Sequence, residues 1–260
     1  MTGRNTEVQV LQDRTALFSD AAERIVQAAT DCIRERGRFT LALSGGATPN
    51  GVYTLLATKP FRSRVVWPQV HVFWGDERCV PPDDPRSNYR AAYELLLSHV
   101  PIPAANIHRM QGEIDPSMAA MQYESLLRSH FGTPSGAPRY ASGANFDLML
   151  LGVGADGHTA SIFPEGTALQ EQQRWALAEY AASAGTWRIT VTLPVINAAA
   201  RVLMLVAGGE KRAIMERVLS PHASQVLQND ASLPAERVQP AEGELTWLLD
   251  SAAMPALDPG

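Results

Sequence analysis

Four short apolar runs, FTLALS, QVHVFWGD, FDLMLLG and RVLMLVAG, are each closed by a glycine or a polar turn. All but FDLMLLG lead on into a helical pattern, as in NGVYTLLAT, SNYRAAYELLLSHV and GEKRAIMERVL. A strand that is apolar at every position has no face for water, so both of its faces must be covered. Helices alternating with such strands supply that cover, and the arrangement predicts a parallel sheet inside an α/β fold. The segment from Thr15 to Arg36 places apolar residues at helical spacing until Gly37 stops it, and VQVL before it reads as a strand. WRITVTLP followed by VINAAA extends the same rhythm, and ELTWLLD closes it. The stretch GTPSGAPRYASGAN, residues 132 to 145, has linker composition, but the rhythm continues beyond it and favours a surface loop. One domain over residues 1–260 is expected.

An apolar fraction of 45% supplies a full core, and a net charge of -5 argues against nucleic acid as the main partner. No apolar run approaches the roughly 20 residues that span a bilayer, and the N-terminus MTGRNTEVQV lacks a signal-type apolar region. A cytoplasmic protein with a small ligand is the expectation. Cys32 and Cys79 show neither C-x-x-C spacing nor a disulfide framework, which fits a reducing compartment and ordinary packing. The six histidines have no H-x-x-x-H spacing, so no metal site is expected unless folding assembles one. Oligomeric state is not legible.

The segment LLGVGADGHTASIFPEG, residues 150 to 166, has the G-x-G-x-x-G spacing of a dinucleotide loop. Such a loop needs a helix after its third glycine and an acidic residue about 20 positions later at a strand end. Pro164 and Gly166 leave space for only a turn of helix, and Glu171 and Glu179 stand in no clear strand end. No nucleotide is expected. The segment does place Asp156 and His158 at the carboxyl end of a buried strand, where open α/β sheets bind ligands. An unperturbed imidazole pKa near 6.5 suits general-base work, and a neighbouring carboxylate such as Asp156 fixes the tautomer.

Three further loops share that edge. LSGGATP supplies Ser44, Gly45, Gly46 and Thr48 at a helix start, a natural phosphate cradle that is not a Walker A loop. WGDERCVPPDDPRSNY brings Asp76, Arg78 and Arg86, the arginines suited either to an anion or to a local salt bridge. AGGEKRAIM puts Lys211 in the first turn of a helix, where a cation opposes the helix dipole unless an anion lies nearby.

As a set, LSGGATP, FWGDERCVPPDDPRSNY, FDLMLLGVGADGHTASIFPEG and LMLVAGGEKRAIM resemble the 6-phosphogluconolactonases, in order and over almost the whole chain. The resemblance implies a Rossmann-like α/β/α sandwich with no nucleotide, metal or cofactor. It implies hydrolysis of 6-phospho-D-glucono-1,5-lactone in the oxidative pentose phosphate pathway. It assigns water activation to His158, the substrate's charged groups to Arg78, and the phosphate to Ser44, Gly45, Gly46, Thr48 and Lys211. The related deaminases and isomerases carry a glutamate five residues after the histidine, where Phe163 stands here. A sugar-phosphate sensor would keep the phosphate loop but have no use for a base.

Overall fold

In a computed structural model the chain is described over residues 5–132, 145–219 and 232–255. The first half runs β1 (Asn5–Leu11), α1 (Arg14–Arg36), β2 (Phe39–Leu43), α2 (Ala47–Leu56), β3 (Val70–Trp74), β4 (Asp76–Arg78), α3 (Asn88–Leu95) and α4 (Pro116–Phe131). The second runs β5 (Leu148–Leu151), β6 (Ala176–Ala181), β7 (Thr186–Val191), α5 (Leu193–Asn197), β8 (Arg201–Val206), α6 (Arg212–Val218) and β9 (Glu244–Asp250). The loop read over residues 132 to 145 lies almost wholly outside the described residues. No helix of the described residues is long and apolar enough to cross a membrane.

The all-apolar runs become a six-stranded parallel sheet, ordered β1-β9-β8-β5-β2-β3. Every residue of β2 and of β5 is buried, which is why their sequences show no alternation. The long helix α1 starts where the Asp13 carboxylate accepts the Ala16 N–H and stops at Gly37, whose φ of 73° is left-handed. Its buried stripe, Leu17, Ala21, Ile25, Ala28 and Cys32, follows the helical period and joins the core.

Two parts differ from the sequence expectation. WRITVTLP does not join the parallel sheet: β7 pairs antiparallel with β4 and β6 in a separate three-stranded sheet. Residues 76 to 78 form β4 of that small sheet. The chain leaves the large sheet at Gly75, whose N–H bonds Leu43 and whose carbonyl takes the Val191 N–H, so this one residue hinges the two sheets. Helix α4 was not anticipated, although Asp115, which caps the Met118 N–H, and Pro116 in its first turn are ordinary start signals.

The outer edge of β3 is covered by side chains and one further backbone group. Asn106 Nδ2 donates to the Val70 carbonyl, the His108 N–H to the Val72 carbonyl, and the Tyr123 hydroxyl bonds both N and O of Trp74. An edge strand left bare would expose a row of pairing groups. Tyr123→Phe leaves a buried N–H and C=O without partners, and the expected cost is about 1–3 kcal/mol. Urea unfolding with an unchanged slope checks it; an unaltered midpoint means that another group covers Trp74.

Candidate active site

The loops after β2, β5 and β8 open on the same edge of the sheet because the three strands are parallel. They meet β4, the first residue of α3 and the end of the small sheet around a cleft of about 390 Å³. β5 lies between β2 and β8, and the chain order reverses across β2 and β5, so the cleft sits at a topological switch point.

After β2, Ser44 is buried and its backbone N and O are both held by the Tyr53 hydroxyl, at 3.0 and 2.6 Å. Gly45 has to be glycine, because a Cβ there would stand 1.9 Å from Asn88 Oδ1. Gly46, at φ 113°, starts α2 with no side-chain cap. The first N–H groups of that ten-residue helix are therefore not taken by a cap, as an anion cradle requires.

After β5 the chain turns back on itself instead of entering a helix. The N–H of Gly154 bonds the His158 carbonyl and that of Gly157 bonds the Gly154 carbonyl. His158 Nδ1 lies 2.5 Å from Asp156 Oδ1, and the His158 backbone N–H reaches the same oxygen at 3.2 Å. A Cβ on Gly154 would sit 2.0 Å from that Nδ1 and 2.6 Å from the carboxylate, so this glycine makes space for the pair and not for a pyrophosphate. Burial tends to raise the Asp156 carboxyl, but the His158 charge and hydrogen bonds outweigh it and hold it below the usual range. With Nδ1 committed to Asp156, Nε2 is the nitrogen left to the cleft. Phe163 packs on the imidazole, with ring centroids 4.8 Å apart, and Ala160 beside it holds φ 48°, a left-handed value that costs a non-glycine residue about 1 kcal/mol.

Glu77 and Asp76 do structural work. Glu77 accepts the N–H groups of Arg78, Asn88 and Tyr89 and the Ser87 hydroxyl, fixing the start of α3. Burial pushes its carboxyl up from the usual range while those bonds pull it down. Asp76 lines the cleft, but its carboxylate accepts Ser161 Oγ at 2.6 Å and Asn88 Nδ2 at 3.3 Å, which ties three loops together.

Arg78 makes no salt bridge among the described residues. One guanidinium nitrogen donates to the Arg86 carbonyl, and its Nε is buried without a hydrogen-bond partner. Directly across the strand pair stands Arg188 of β7, which also lines the cleft and which the sequence reading missed. Burial first, and the Arg78 charge next, hold the Arg188 guanidinium below its ordinary range. Like charges directly opposite destabilise a sheet, and a bound anion relieves that repulsion.

Lys211 reaches the cleft from the turn after β8, where buried Asp250 of β9 accepts the Gly208 and Ala253 N–H groups and pins the turn. Ser44, Gly45, Gly46, Asp76, Arg78, His158 and Lys211 thus line one cleft. Arg86 does not: its guanidinium folds onto Asp84 in the exposed loop, and only its carbonyl serves the site. Thr48, in the first turn of α2, and Asp156, bonded to His158 Nδ1, do not line the cleft themselves.

Residues 12–247 match the family described as glucosamine-6-phosphate isomerases/6-phosphogluconolactonase. The chain belongs to this family. A 6-phosphogluconolactonase from a Nostoc species is 41% identical over 247 residues, covering 95% of this chain and 96% of the relative. One from a Synechocystis species is 41% identical over 254 residues, covering 97% and 99%. The crystal structure of a 6-phosphogluconolactonase from Thermotoga maritima superposes with a TM-score of 0.77 at 29% identity, covering 95% of this chain and all of that one. Membership of the glucosamine-6-phosphate isomerase/6-phosphogluconolactonase family accounts for the α/β architecture.

The depressed Asp156 carboxyl sets a pH dependence. A folded-state pKa below the unfolded one contributes stability that is present above about pH 4 and lost as pH falls through the folded value. Asp156→Asn removes that contribution, so the stability gap between wild type and variant is expected to narrow on acidification. Urea unfolding of both proteins from pH 6 downward measures it, and a gap independent of pH contradicts the assignment.

Proposed function

We propose that this protein hydrolyses 6-phospho-D-glucono-1,5-lactone to 6-phospho-D-gluconate in the oxidative pentose phosphate pathway, with His158 as general base. The observation that carries the reading is the His158–Asp156 pair held over Gly154 in a cleft that also presents two separate sets of anion-binding groups. The names of the Nostoc and Synechocystis relatives support the same substrate.

The 6-phosphate docks on the N–H groups of the Ser44–Gly46 loop and the start of α2, with Lys211 opposite. Docking there carries C1 of the lactone towards His158. Nε2 takes a proton from water as the oxygen attacks C1, and the imidazolium that forms is balanced by Asp156. The tetrahedral oxyanion is held by Arg78, with Arg188 beside it. Collapse breaks the bond from C1 to the ring oxygen, which leaves with the proton from Nε2, and the new carboxylic acid ionises to release one proton overall. A general base contributes roughly 10²–10⁴ in rate and one oxyanion donor roughly 10²–10³. Ser161 is not needed as a nucleophile, since its hydroxyl is spent on Asp76.

Sugar-phosphate isomerisation or deamination needs a carboxylate aimed at a carbon-bound proton. The position where that branch carries glutamate is Phe163, and Glu165 is exposed beyond Pro164 and outside the cleft. Both facts support the hydrolytic reading.

The test is acid release from the lactone in weak buffer, corrected for spontaneous opening. Wild type is expected to be fast and His158→Ala at least ~10²-fold slower while still folded. Lys211→Ala is expected to raise KM more than it lowers kcat, as loss of binding common to ground and transition states does. A wild type no faster than buffer overturns the lactonase reading, and a fully active His158→Ala overturns the base.

A further inference from the structure

Three of the six histidines are brought together by folding, and none of them lines the cleft. His71 is the second residue of β3, at the opposite end of that strand from Gly75 and the site. It is five positions from Asp76, on the order of 17 Å along an extended chain at about 3.3 Å per residue. His108 follows Ile107, which bridges Val72, and His130 stands in the last turn of α4.

One ring nitrogen of each lies within 4.8 Å of the other two. His71 Nδ1 and His108 Nε2 share a hydrogen bond of 3.2 Å, their rings stacked at 5.5 Å between centroids and 11° between planes. The His130 ring stands 5.0 Å from His71 and 5.3 Å from His108. Its Nε2 is buried with no hydrogen-bond partner among the described residues. Phe73 holds the group in place, stacked on His108 at 4.4 Å and edge-on to His130 at 5.0 Å.

Packing alone does not account for this choice of residues. Burying a polar nitrogen without a partner costs free energy that a phenyl ring in the same place avoids. Burial holds His71 below its ordinary range and pushes His108 and His130 down to about 4, with mutual repulsion adding to the effect in both. Histidine binds metal through an uncharged imidazole nitrogen. Tetrahedral zinc with bonds of about 2.0–2.1 Å sets ligand nitrogens about 3.3–3.4 Å apart. The His71–His108 pair has about that spacing; an ion there takes the place of the proton the two nitrogens share, and closure also requires a movement of His130 at its helix end.

We propose that His71, His108 and His130 form a site for a divalent transition-metal ion that favours imidazole nitrogen, zinc foremost, clipping the end of α4 to the outer edge of β3. Three nitrogen ligands leave a fourth position for water. The guanidinium of exposed Arg38 faces His71 and His130 and opposes the ion, which limits affinity without blocking the ligands. The ion would tie together the segments that already cover the bare edge of β3, so its binding is read as stability and not as turnover.

Full-length protein stripped with EDTA and freed of chelator is titrated with zinc chloride by calorimetry, with long-range 1H–15N spectra of the histidine rings recorded in parallel. The expected result is one zinc per chain, with shifts at the rings of His71, His108 and His130 and a thermal midpoint that rises with zinc concentration. His71→Gln and His130→Gln are each expected to weaken binding by at least ~10²-fold, the upper end of what loss of an outer partner alone costs. Absence of stoichiometric binding overturns the proposal. So does zinc that shifts only His158 and is lost in His158→Ala while surviving in His130→Gln. If a variant fails to fold, the ring spectra of the wild type decide the matter alone.

Discussion

Because β2, β5 and β8 run in one direction, the loops that follow them open on one edge of the sheet, and the whole cleft depends on that shared direction. Parallel pairing needs strands buried on both faces, which the continuous apolar sequences of β2 and β5 meet. The polar groups are then confined to the strand ends. Two glycines complete the arrangement: Gly45 lets Asn88 close on the loop after β2, and Gly154 lets His158 fold onto Asp156. In both places a single Cβ would occupy the space of a functional contact.

The protein is acidic overall, yet its cleft presents Arg78, Arg188 and Lys211. Local geometry decides binding here, not net charge. The arginines pay in stability for readiness, since they face each other across a strand pair and one keeps a buried nitrogen without a partner. Asp76, by contrast, is engaged by Ser161 and Asn88 and holds the loops around the cleft in register.

Much of this was legible in the chain. The four strand-to-loop segments, the unsuitability of G-x-G-x-x-G for a nucleotide, and the places of Ser44, Arg78, His158 and Lys211 follow from local patterns, because each sits beside a run whose burial is written in its composition. What escaped depends on pairing between distant segments. β7 alternates polar and apolar residues, and only its pairing with β4 and β6 shows which side Arg188 faces, so Arg188 had no signal of its own. Arg86 carried the right chemistry, but Asp84 two residues earlier captures its guanidinium. The histidine cluster draws on a strand, a bridge segment and a helix end, and no spacing rule links them.

The measurement that bears most directly on the central claim is the pH dependence of kcat/KM for lactone hydrolysis, compared between wild type and His158→Ala after subtraction of the uncatalysed rate. A general base that must be neutral to accept a proton gives an acid limb, with the rate falling as the imidazole protonates. The account predicts that limb in the wild type and its loss in the variant, whose small residual rate no longer follows an imidazole titration. If the variant keeps the same limb, the titrating group lies elsewhere and His158 is not the base.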